Sequence, residues 1–172
     1  NISSIKNLNL AYHPMYLGDS NSAKVIYEFV DYNCGYCQKF HQELINVMKD
    51  NSLKLVIIQM PILGNFSEEL TKLALASSLQ GQFKVVHNYL YSTERKSKME
   101  DILADLFLRG VDLDILKNDL DSQEVSDFLS IHRSYADEFK FTGTPATIIG
   151  NQIIPGFIDA DKITEILEKE FS

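Results

Sequence analysis

The sequence predicts an α/β fold in which a β–α–β unit and a later β-hairpin flank a long helical block. Three observations carry this expectation. Runs rich in β-branched and aromatic residues occur at 25–30, 53–60 and 146–154; a helical pattern joins the first two; and residues 67–139 hold helical periodicity with no convincing strand.

Taken in order, the first twenty or so residues are mixed, and Asp19-Ser20-Asn21-Ser22 reads as a turn. Val25 to Val30 is apolar on both sides except for Glu28, the pattern of a central strand covered on both faces. The helix from Cys34 to Met48 places Cys37, Phe40, Leu44, Val47 and Met48 on one stripe. Cys37 is therefore expected to face the core and Cys34 to stand at the exposed tip. Leu53 to Met60 is a second strand of the same type, closed by Pro61 and Gly64, and the three elements make a right-handed βαβ unit. Helices follow over 68–79, 83–91, 99–108, 113–120 and 122–139. Gln80-Gly81-Gln82 interrupts the first pair, Gly110 suits a C-cap, and Asp112 or Asp114 suits the next N-cap. Tyr89 and Tyr91 read as packing residues of an apolar stripe rather than cofactor contacts. Residues 146–149 and 152–154 form a hairpin around Gly150-Asn151, ended by Pro155-Gly156. Asp159 or Asp161 then starts a closing helix with Ile163, Ile166 and Leu167 on one face.

Cys34-Gly35-Tyr36-Cys37 holds both cysteines of the chain, at the start of a helix. Two thiols at this spacing can close a small disulfide ring, and the N-terminal amides of the helix favour the thiolate form of the first sulfur. Half of a zinc site has the same spacing, but zinc needs two more ligands. His13, His41, His87 and His132 are scattered, with no pair at helical or hairpin ligand spacing. A purely structural disulfide over four residues adds little loop-closure stabilisation to a chain large enough to build a core. Two thiolates also suit Cu(I), so a metal-handling dithiol stands as a rival to redox chemistry.

At 172 residues the chain suits one domain or a domain with a large insertion; 45% hydrophobic and 23% charged residues match an ordinary globular protein. No apolar run approaches the roughly 20 residues of a membrane-spanning helix. A net charge of −8 argues against nucleic acid or anionic membrane as partners, and Arg95-Lys96-Ser97-Lys98, flanked by Glu94 and Glu100, reads as a solvated loop. With no initiator Met and no signal-peptide pattern, Asn1 reads as a processed or trimmed start.

The chain resembles the thioredoxin superfamily and, within it, the DsbA-like bacterial envelope proteins with an inserted helical domain. The matching segments are Glu28 to Cys37, Pro61-Ile62-Leu63-Gly64, Thr142-Gly143-Thr144-Pro145-Ala146, and Ile154-Pro155-Gly156 with the helix after it, in family order from about Met15 onward. The resemblance implies a thioredoxin-fold domain over 1–64 and 140–172 and an inserted helical domain over 65–139. It implies an exported, periplasmic protein whose signal peptide is absent from this chain. It further implies a cis Thr144–Pro145 bond facing Cys34 across the active site, where the Thr144 backbone would pair with an extended client peptide. No cofactor beyond the Cys34–Cys37 disulfide is implied. The expected partners are unfolded or misfolded client proteins and a membrane redox protein that resets the dithiol.

Two departures from the family pattern shape the functional expectation. The buried acid at Glu28 is often paired with a lysine on the second strand; here the nearest matching positions are Ile58 and Gln59, and Lys54 is too distant. The dipeptide between the cysteines is Gly35-Tyr36 rather than the Pro-His of strongly oxidising members, so no imidazole helps hold the Cys34 thiolate. Gly-Tyr with Thr144 before the proline looks more like the DsbC-type isomerases and the DsbA-like trimeric isomerases of the copper-sensitivity type. The expectation is a thiol–disulfide oxidoreductase leaning to isomerase or reductase over DsbA-type oxidase. Cys34 is its nucleophile, Cys37 the resolving thiol, and Glu28 the group that accepts or relays the proton of Cys37. Ile2, Ile5 and Leu8 begin an apolar helical stripe too short to hold an oligomer, so the chain as given is expected to be monomeric, any native oligomer relying on residues before Asn1.

Overall fold

The computed structural model describes residues 15–172; the Ile2, Ile5 and Leu8 stripe and His13 lie outside the described residues. Five strands, β1 (Tyr16–Gly18), β2 (Val25–Val30), β3 (Lys54–Gln59), β4 (Ala146–Ile149) and β5 (Gln152–Pro155), form one sheet in the order β1-β3-β2-β4-β5. β2 and β3 are parallel, as a helical crossover requires, and the other pairs are antiparallel. Among the described residues the helices are α1 (Gly35–Asp50), α2 (Asn65–Ser78), α3 (Phe83–Leu90), α4 (Met99–Leu108), α5 (Leu113–Asp119), α6 (Gln123–Glu138) and α7 (Ala160–Glu170). None of them is long and apolar enough to cross a membrane.

The capping alternatives resolve in favour of the earlier residue in both cases. Asp112 accepts the N–H of Ile115 and Asp159 that of Lys162, while Ser122 caps α6 through Val125. β1 was not legible as a strand, because three residues are too few for a period-two signal. It forms because Met15 and Leu17 bury and because Gly18, at φ 85°, lets the chain leave β1 where a Cβ would collide with the Leu53 carbonyl.

Alternation along β2 and β3 divides the core between the two faces of the sheet. Ile26, Val30, Leu55 and Ile57 join Phe40 and Leu44 of α1, Ile163 of α7, and Leu70, Val86, Ile102 and Leu129 of the helical block in one cluster. Tyr27, Phe29, Val56 and Ile58 face the other way, against Ala136, Phe139 and Phe141. Phe29 meets Phe141 edge-on with ring centres 4.7 Å apart. The helical block thus shares a core with the sheet face that carries α1, and its α3–α4 connection is bonded to the turn before the cysteines. Glu28 lies on that same face, level with Ile57 on β3 and Thr147 on β4.

Candidate active site

The turn 31–34 ends β2 and delivers Cys34 as the N-cap of α1. Its backbone N–H donates to the Asp31 carbonyl at 3.1 Å, and its carbonyl accepts from Gln38 N at 3.2 Å. The N–H of Cys37 donates to Cys34 Sγ at 3.3 Å, so the cap position of this helix is filled by sulfur. Both cysteines are free thiols. Cys34 is half-buried, and Cys37, one turn further on, is fully buried. Burial pushes the Cys37 thiol well up, with hydrogen bonds from Thr144 and the Asp31 backbone opposing the shift. Of the two sulfurs, the accessible one is Cys34.

Two loops complete the surroundings. The Thr144–Pro145 peptide is cis, and the Thr144 carbonyl accepts the Cys34 thiol at 3.5 Å. The 61–64 loop is held by Asp31, whose carboxylate accepts N–H groups of Ile62 at 2.9 Å, Leu63 at 3.0 Å and Asn33 at 2.9 Å. That leaves Ile62 and Leu63 exposed on the same side of the molecule as this turn. Tyr36 is 65% exposed, its ring centre 6.2 Å from that of Phe157. Gly35 leaves open space: nothing lies within 4 Å of where a Cβ would stand. Sequence reasoning quoted Asp31 and Ile62-Leu63 as motif residues without a role; the role is a tether between two loops.

Glu28 sits within the same face, fully buried. Neither of its carboxyl oxygens has a protein hydrogen-bond partner, and desolvation pushes its pKa up to about 8. No cation reaches it among the described residues. Lys54, at the far end of β3, places its ammonium over the Tyr16 ring instead. The register refines one expectation: the neighbour of Glu28 on β3 is Ile57, while Ile58 points to the opposite face and Gln59 lies two residue pairs further along, opposite Val30.

A cluster of aromatic rings lies under the cysteines that the linear sequence does not reveal. His41 and His87, 46 positions apart, have ring centres 5.1 Å apart, and Tyr91 stacks on His41 at 5.2 Å. Gln59 Nε2 donates to the Tyr32 hydroxyl at 2.9 Å, and that hydroxyl shares a hydrogen bond with Nδ1 of His87 at 2.7 Å. Burial lowers the pKa of His41 to about 4 and that of His87 well below its usual value, so both are neutral near pH 7. Tyr91 donates to the Asp31 carbonyl at 3.2 Å, and its own hydroxyl is pushed well up by burial and then by Cys37 and Glu28. Tyr91 thus borders both thiols and the buried acid, and Tyr32 borders the acid and the cavity beside Cys34. His132 belongs elsewhere, accepting the backbone N–H of Gln59 at 2.8 Å.

Arg95 departs from the expectation of a solvated basic loop. It reaches back to the turn before Cys34 and donates to the Tyr32 carbonyl at 2.8 Å. The loop 91–95 thereby closes one side of an open cavity of about 210 Å³ beside Cys34. Openings of about 600 and 610 Å³ elsewhere on the helical block contain neither cysteine, so chemistry rather than volume locates the site.

Comparison with known proteins agrees with this geometry. The sequence profile of a family described as Thioredoxin matches residues 11–169. The probable disulfide bond formation protein D of Bacillus cereus is 24% identical over 169 residues, covering 90% of this chain and 77% of that protein. The thiol-disulfide exchange protein α-DsbA2 of Wolbachia pipientis superposes with a TM-score of 0.87 at 25% identity, covering 98% of this chain and 92% of that one. The catalytic domain of ScsC from Proteus mirabilis gives a TM-score of 0.85 at 23% identity, over 98% and 96% of the two chains. With a family match over almost the whole chain and a Cys-x-x-Cys pair at the tip of α1, the chain belongs to the thioredoxin family, as a DsbA-like thiol–disulfide oxidoreductase.

Proposed function

We propose that this protein exchanges disulfides with extended client polypeptides in the bacterial envelope, and that it works as an isomerase or reductase rather than as a dedicated oxidase. The observation that carries the reading is the difference between the two sulfurs: Cys34 is accessible at a helix N-cap, and Cys37 is buried behind it with a raised pKa. In this mechanism the Cys34 thiolate attacks a client disulfide and forms a mixed disulfide while one client thiolate leaves. Cys37 then displaces the second client thiolate and closes the Cys34–Cys37 bond. Glu28 is the group that receives the Cys37 proton; a carboxyl with a pKa near 8 is matched to a proton acceptor that works near neutral pH.

The preference for isomerase or reductase rests on Gly35-Tyr36. With no imidazole between the cysteines, fewer groups stabilise the reduced form, and a less stabilised dithiol is a weaker oxidant. The exposed Tyr36, Ile62 and Leu63 suit clients that present apolar residues, as misfolded chains do. Client chains and a membrane partner that restores the redox state are the partners this function requires.

The test is the reduction potential of the Cys34–Cys37 couple, measured in glutathione buffers beside an assay for refolding a scrambled protein. A potential near about −180 mV or lower, with recovery of the scrambled protein, supports the reading. A potential near about −120 mV with rapid oxidation of reduced clients assigns the protein to the oxidases instead.

A further inference from the structure

Arg95 is held beside the active-site turn by neutral groups alone. One Nη–H donates to the Tyr32 carbonyl at 2.8 Å and one to Asn33 Oδ1 at 3.4 Å. The neighbouring cations are differently placed: Arg109 pairs with Glu94 at 2.7 Å and Lys96 approaches Asp105 at 4.0 Å. No carboxylate lies within ion-pairing distance of Arg95 among the described residues. Asp31, the acid of the same turn, is turned away into the three backbone N–H groups it accepts. A guanidinium has five N–H donors, so three remain uncommitted on a side chain already fixed in place.

The surroundings make this an addressable charge. Arg95 and Cys34 line the same open cavity of about 210 Å³, walled by Asn33, Gln38, Ser92 and Thr93. Gln38 has its amide donor committed to the Tyr91 carbonyl, and the Ser92 hydroxyl donates to Tyr89 O. The donors left for a ligand are those of Arg95 and the exposed Thr93, with the second N–H of Gln38 and the amide N–H groups of Asn33 beside them, and Arg95 supplies the only charged ones in the cavity lining. Thr144 and Pro145 are not part of this cavity, so it can be occupied while an extended chain lies along the Thr144 loop.

We infer that this cavity is a carboxylate subsite, which takes an Asp or Glu side chain of a client peptide one or two residues from the client's disulfide. The inference rests on the thiol–disulfide exchange proposed above and adds a preference to it. The charge of the whole chain, −8, repels acidic clients at long range. The preference therefore arises on contact, from a fixed guanidinium, and not from steering. The chemical step is unchanged: the Cys34–client S–S bond forms as the client S–S bond breaks, the leaving client sulfur takes a proton from water, and Cys37 completes the two-electron reduction.

The experiment uses the fully reduced protein and three short peptides, each a symmetric disulfide dimer, with Asp, Asn or Lys two residues from the cysteine. Single-turnover rates are divided by the rate of each peptide with dithiothreitol, which removes differences in intrinsic disulfide reactivity. The Asp peptide is expected to react roughly threefold to tenfold faster than the Asn peptide at low salt, and the ratio to approach one as ionic strength reaches about 1 M. Arg95→Gln should abolish the preference, and Arg95→Lys, which keeps the charge without the fork, should retain part of it. The wild-type salt series decides the matter even if Arg95→Gln is unstable. An Asp/Asn ratio near one in the wild-type protein, or a preference that survives in Arg95→Gln, overturns the subsite while leaving exchange intact. No reaction with any of the three peptides overturns both the subsite and the function on which it rests.

Discussion

Replacing Glu28 by Gln is expected to stabilise the protein by an amount that grows with pH. In the unfolded chain the carboxyl titrates near 4.5, and in the fold it titrates near 8 because burial penalises its charge. Between those values the fold holds a proton that the unfolded chain has released, so stability falls as pH rises, by about 1.4 kcal/mol per pH unit. Below pH 4.5 both states carry the proton and the effect vanishes. Above pH 8 both have lost it and the full cost, on the order of 5 kcal/mol, has accumulated; near pH 7 it is about 3 kcal/mol. Gln has nearly the shape of the protonated acid and does not titrate, so the variant escapes this term. Urea unfolding of reduced wild type and Glu28→Gln at pH 5, 6, 7 and 8 measures it, and contributions from the buried histidines cancel in the difference. The gap between the curves should widen steadily in favour of the variant. A constant gap from pH 5 to pH 8 would refute the assignment of a raised pKa to Glu28.

Other perturbations follow from the same geometry. Asp31→Ala leaves the N–H groups of Ile62, Leu63 and Asn33 without their acceptor and should cost about 2–4 kcal/mol in urea unfolding, with faster amide exchange at 62 and 63. His41 is held neutral with a pKa near 4, below the 6.5 of the unfolded chain. Its contribution is intact above pH 6.5 and is lost as pH falls toward 4, by up to about 3 kcal/mol, so His41→Phe should show a shallower acid destabilisation. Glu28→Gln should also slow closure of the Cys34–Cys37 bond from a mixed disulfide near neutral pH, measured by rapid acid quench and mass spectrometry; an unchanged rate removes Glu28 from the proton path.

Apart from β1, the order of elements was legible because each carries a local signal: the continuous apolar runs of β2 and β3, the stripe Cys37, Phe40, Leu44 and Val47 of α1, and the Gly150-Asn151 turn of the hairpin. The cysteine pair was legible for the same reason, being contiguous. What escaped reading was set by contacts distant along the chain. His41 and His87 meet only because α1 and α3 pack on one face of the sheet, and nothing at either position marks the other. Arg95 sits among charges that resemble any solvated loop, and its bond to the Tyr32 carbonyl depends on how the α3–α4 connection folds back. The neighbours of Glu28 were displaced by one residue, because register between parallel strands joined by a helix is fixed by packing rather than by a turn.

The division of labour between the sulfurs is tested most directly by trapping. Cys37→Ser protein, incubated with a disulfide-bonded client peptide and examined by intact mass and peptide mapping, should accumulate a mixed disulfide at Cys34 that wild-type protein resolves within the same interval. Cys34→Ser should form none. Absence of the adduct in Cys37→Ser, or an equal adduct through Cys37 in Cys34→Ser, would contradict the assignment of Cys34 as the attacking thiol.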